Sequence, residues 1–130
     1  MAGSDTDRAV HLTFPAETRF LRLARLTAAG LAGDLGFGIE DIEDLRVAVD
    51  EACAVLLDAA GPDGDGLELV YHVDGATLIV EGACDGEGEG DVDVHPVARE
   101  ILRMSADEYS LDAGDGRWRF RLVKRGTITP

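Results

Sequence analysis

A long one-sided helical period does most to limit what this chain can become. Between Ile39 and Ala59 the apolar residues Ile42, Leu45, Val49, Ala52, Cys53 and Leu56 recur at spacings of about three or four. That stripe predicts an amphipathic helix, which has to lay its apolar face on a second layer. Glu40, Asp41 and Glu43 crowd its first turns, where carboxylates suit the positive end of the helix dipole. Gly61-Pro62 stops it, and the run to Gly66 reads as a turn or loop. A shorter helix precedes it, with Phe20, Leu23, Ala24, Thr27, Leu31 and Leu35 as its stripe. Arg19, Arg22 and Arg25 lie on or beside the opposite flank, and Gly33, Gly36 and Gly38 mark the exit.

The second layer is a sheet. Val10, Leu12 and Phe14 alternate with His11 and Thr13, a half-buried strand ended by Pro15. Runs at Leu67–Val73 and Ala76–Glu81 flank Asp74-Gly75, a hairpin signal. The Gly-rich acidic run from Gly82 to Asp93 reads as a mobile, solvated loop. Val97, Ile101, Leu102 and Met104 predict a short third helix. Trp118, Phe120 and Leu122 alternate with Arg117, Arg119 and Arg121, a final strand with one strongly basic face. The order β-α-α-β-β-α-β predicts an α/β two-layer sandwich: a mixed, mostly antiparallel sheet with helices on one face. The length of 130 residues suits one domain, 1–130, with an ordered core of about 8–126 and frayed ends at Met1–Asp7 and Thr127–Pro130.

Charge narrows the partners. A formal net charge of −14 sets the surface against a phosphate backbone, so no direct nucleic-acid contact is expected. A basic protein partner would be steered inward. No apolar run approaches the roughly 20 residues of a membrane span, and the polar, acidic N-terminus lacks a secretory pattern, so a cytoplasmic protein is expected. Cys53 and Cys84 have no metal-ligand spacing, and no metal site is expected; two reduced, partly buried thiols are.

The run Asp44-Leu45-Arg46-Val47-Ala48-Val49-Asp50-Glu51-Ala52-Cys53 resembles the N box of the RsbW-like anti-sigma regulatory factor serine kinases, within the GHKL ATPase superfamily. His11-Leu12-Thr13-Phe14-Pro15-Ala16, Leu23-Ala24-Arg25-Leu26-Thr27 and Val123-Lys124-Arg125 are similar to that family's first strand, first helix and last strand. The resemblance spans about residues 10 to 125. The drift of its motifs looks more like the actinobacterial UsfX-type anti-sigma factors than the active kinases.

The resemblance implies three nucleotide motifs, each altered here. The family's N box pairs a Glu with an Asn four residues on, whose oxygen holds Mg²⁺. Here Glu51 keeps the Glu position as a vestige of the general base, and Val55 stands at the Asn position with no lone pair for a hard cation. The family's Asp-x-Gly-x-Gly motif aligns with Gly86 and Gly88, which puts Cys84 where the adenine-binding Asp would be. A thiol is a weak acceptor. Asp85 is one residue away, and in a strand one residue reverses the face. The family's glycine lid, whose amides cradle phosphates, aligns with about Asp93 to Arg99, which has no glycine and includes Pro96. His95 there reads as an exposed histidine at the start of a helix.

The resemblance therefore implies an anti-sigma factor that sequesters an alternative sigma factor by protein contact, with a degenerate ATP site and no kinase activity. No cofactor is expected. The alternative is an active serine kinase using ATP and Mg²⁺ to phosphorylate an anti-anti-sigma factor. Arg25 matches the family's partner-binding arginine on the first helix; Arg22 and Glu17 are weaker candidates. The family implies a sigma factor and an anti-anti-sigma factor as partners, and a homodimer. Cys53 and Cys84 lie in motifs that converge on one pocket in the family's fold, which raises a redox pair as a further expectation.

Overall fold

The computed structural model describes residues 9–60 and 66–126. The expected stop at Gly61-Pro62 and both frayed ends lie outside the described residues. Strand Val10–Phe14 (β1) leads through a 3-10 turn at Thr18–Phe20 into helix Leu21–Asp34 (α1) and helix Ile39–Ala60 (α2). Strands Leu67–Asp74 (β2), Thr77–Asp85 (β3) and the short Gly90–Asp91 (β4) follow, then helix Pro96–Ser105 (α3) and strands Glu108–Gly114 (β5) and Arg117–Arg125 (β6). The sheet runs β1-β2-β3-β6-β5-β4. Every described ladder is antiparallel, where a mixed, mostly antiparallel sheet was expected. Each strand meets its neighbour in an antiparallel sense, so no crossover to a parallel partner is needed.

The helices cover one face. Leu69, Tyr71, Leu78, Val80, Phe120 and Leu122 point to them and are buried; Glu68, Glu81, Arg119 and Arg121 point the other way and are exposed. On α2 the predicted stripe holds: Leu45, Val49, Ala52, Cys53 and Leu56 are buried, with Ala48 among them. Each fully buried leucine contributes roughly 1.5–3 kcal/mol. Lys124 reaches inward beneath the first turns of α2, with Nζ 3.8 Å from Asp41 and 3.6 Å from Asp44.

Three sequence expectations change. The buried face of α1 is Leu21, Ala24, Ala28 and Ala32, while Leu23 is exposed. Alanines bring α1 close to the core, where Tyr71 donates its buried hydroxyl to the Ala24 carbonyl at 2.8 Å. On α3 likewise the small residues Ala98 and Ser105 flank Leu102 inside, while Val97 and Met104 face out. Second, β3 runs on through Gly82 to Asp85 where a loop was expected. Gly82 serves contact there: a Cβ would lie 2.2 Å from the Phe120 ring. Third, β5 was not foreseen. It pairs Tyr109, Leu111 and Ala113 against Leu122, Phe120 and Trp118. Asp115-Gly116 turns it into β6 with positive φ at both residues, as a type I′ turn requires.

Candidate functional site

A cleft of about 470 Å³ opens between α2, the segment before α3, and β6. Glu51, Val55 and Asp58 enter it from one stripe of α2, at positions i, i+4 and i+7. Asp93, Val94 and His95 form the opposing lip, and Trp118 of β6 completes the lining. His95 caps α3, its Nδ1 accepting from the Val97 amide at 3.1 Å, with Pro96 in the first turn. The resemblance pointed to Glu51 and Val55, and the structure brings both to the cleft. Asp58 and Trp118 were not singled out. An acid one turn past Val55 on the same stripe was the legible signal; nothing local marked Trp118, which arrives from a strand far along the chain.

The other motif residues are divided. Cys84 is fully buried and outside the cleft lining, its Sγ donating to the Leu56 carbonyl at 3.3 Å. Asp85 points to the opposite face, where Arg117 Nη1 lies 3.0 Å from Oδ1 and Nη2 pairs with Glu68. Gly86 packs on the Trp118 indole so closely that a Cβ would fall 2.4 Å from Cδ1. Trp118 Nε1 donates to the Glu87 carbonyl at 2.7 Å, which fixes the ring. Gly88 holds φ 122, open to glycine alone among common residues.

Cys53 and Cys84 are free thiols. Burial, with Asp50 adding, pushes the Cys53 thiol far up. Burial, opposed by Arg117 and helped by Asp85, takes Cys84 up to about 11. Protonated thiols are poor nucleophiles, so neither is chemically poised for redox exchange.

The residues expected to hold a partner sit elsewhere, on the outer flank of α1 and α2. Arg25 Nη1 lies 2.9 Å from Asp50 Oδ1, both side chains over a third exposed. Glu43, Arg46 and Val47 share a shallow recess with them. Leu26 and Val47 are exposed on these two helices, and so is Arg22. Glu17 pairs with Arg19 at 3.3 Å, outside the recess.

No protein-family model matches the chain. It is 39% identical over 64 residues to the serine-protein kinase RsbW of Halalkalibacterium halodurans, covering 49% of this chain and 40% of that protein. It is 37% identical over 51 residues to the RsbW of Bacillus thuringiensis, covering 39% and 32%. The matches thus span well under half the length of these curated relatives. Among solved structures, that of the RsbU and RsbW domains of Rv1364c from Mycobacterium tuberculosis superposes with a TM-score of 0.75 at 17% identity, covering 93% of this chain and 33% of that one. Part of the chain is thus similar in sequence to RsbW kinases, and its α/β fold is that of a solved RsbW-containing structure. Among the described residues no helix is long and apolar enough to cross a membrane.

Proposed function

We propose that this chain is an anti-sigma factor that holds an alternative sigma factor by protein contact, without nucleotide and without phosphorylating its antagonist. The observation that carries this reading is the chemistry of the cleft. Val55 faces it with no lone pair for a hard cation, while Cys84 spends its thiol on the Leu56 carbonyl. Glu51, Asp58 and Asp93 line the cleft without any lysine or arginine. Such a wall repels a triphosphate. The residues present do not fit the ATP and Mg²⁺ that the fold family implies.

Sigma capture falls to the α1–α2 flank. Arg25 presents a guanidinium beside exposed Leu26 and Val47, the mixture of charge and apolar surface that anchors protein contacts. Arg22 extends that surface. The partner is a sigma factor, the competitor an anti-anti-sigma protein, and the working unit a homodimer in the cytoplasm. The kinase reading retains one supporting observation, Glu51 in the cleft, where a general base would stand.

Calorimetry with Mg-ATP, paired with nucleotide-free binding to purified alternative sigma factors, tests this. The expected result is no heat with Mg-ATP and a stable complex with one sigma factor. Micromolar Mg-ATP binding with phosphate transfer to a seryl side chain would replace this reading with the kinase.

A further inference from the structure

The cleft has a chemistry of its own beyond what it lacks. The Glu51 and Asp58 side chains make no hydrogen bond or ion pair with any other described residue, and Arg99 lies 3.8 Å from the exposed Asp93. Seven residues apart on α2, Glu51 and Asp58 share a face and stand about 10 Å apart along the axis. Val55 lies between them, so the stripe reads charge, apolar, charge. The described residues contain no group of three or more His, Cys, Asp or Glu able to hold a metal ion. One point cation therefore cannot serve both acids. A cation spread along an apolar chain can, with its methylenes on Val55 and Val94 and one charged end at the Trp118 indole, a favourable neighbour for an ammonium. At about 470 Å³ the cleft is of ligand-binding size.

We infer that this cleft binds a linear organic polycation, an aliphatic di- or polyamine, lying along α2 with its ammonium groups at Glu51 and Asp58. The inference goes beyond sigma capture and does not depend on it, since capture is read by complex formation and either can fail alone.

Trp118 is the chain's single tryptophan, so its fluorescence reports on the cleft directly. Titration with spermidine at low ionic strength is expected to give a saturable change. Glu51→Gln and Asp58→Asn should each weaken it about tenfold, the loss of one charge-assisted contact. Val55→Lys, which brings an ammonium of its own into the cleft, should abolish it. Circular dichroism and thermal melts establish that each variant is folded; any one folded variant suffices for the comparison. Mg²⁺ at matched ionic strength should leave the signal unchanged. An equal response to Mg²⁺, a response that does not saturate, or one indifferent to all three substitutions would each overturn the assignment.

Discussion

Two surfaces share α2 and differ in the chemistry they present. On one flank Glu51, Val55 and Asp58 look into the cleft; on another Glu43, Arg46, Val47 and Asp50 meet Arg25 of α1. Both rest on the same buried stripe from Leu45 to Leu56. A metal–nucleotide site needs every donor in place at once, because each stabilises a charge that the others cannot cover. A protein-binding flank needs a few anchors and an outline. On the proposed reading, Val55 and Cys84 therefore undo the first surface and leave the second whole.

The strongest way to break this comparison is Cys84→Asp. If the cleft lacked nucleotide chemistry for want of this one carboxylate, the substitution would restore it. Instead the new charge would lie fully buried against the Leu56 carbonyl. We expect a loss of about 3 kcal/mol or more in urea denaturation and no heat with Mg-ATP. Arg25→Glu tests the other flank. It should weaken sigma binding by about 2 kcal/mol or more by titration calorimetry. The exposed Arg25–Asp50 pair contributes little to folding, so stability should fall by about 1 kcal/mol or less. Unchanged sigma affinity would remove Arg25 from the interface.

A smaller effect is expected from alkali. The Cys84 thiol rises from 9.0 to about 11 on folding, so the folded chain keeps its proton where the unfolded chain loses it. Its contribution is whole below pH 9 and lost as pH rises through about 11. Cys53 and Tyr71, both raised chiefly by burial, act in the same direction. The melting temperature should fall across this window, less steeply in Cys84→Ala. The thiols should stay silent to Ellman's reagent near neutral pH until the protein unfolds. Rapid labelling of the native protein would contradict their burial. The smallest change is expected from Val55→Asn, which returns an oxygen to the half-buried lining. Stability should move by about 1 kcal/mol or less, and calorimetry should still show no Mg-ATP binding, because Cys84 and the acidic wall remain.

Much of the fold was legible because it rests on local periodicity. The α2 stripe, the alternation of β1 and β6, and the hairpin at Asp74 each follow from spacing alone. Even there the chain turns at Gly75-Ala76, with positive φ at Gly75 only, so the register moved by one residue from the Asp-Gly pair. β5 also has its signal in Asp115-Gly116, the same dipeptide, with positive φ at both residues. Gly82 misled, because a glycine that breaks a strand and one that admits an aromatic ring look alike in sequence. Only the Phe120 ring, thirty-eight residues on, tells them apart.

The sequence by itself determined that two amphipathic helices and a third cover one face of a sheet, and that Val55 brings no donor to its position. It also determined that Asp85 faces away from Cys84, since strand parity is a local rule. Tertiary structure alone decided which face of α1 is buried, because bulk hydrophobicity favoured Leu23 while close packing on Tyr71 favoured the alanines. It alone turned Cys84 to the Leu56 carbonyl and brought Trp118 to Glu51 and Asp58. Those contacts join residues far apart in the chain, and a spacing rule reaches only a few turns of helix or one face of one strand.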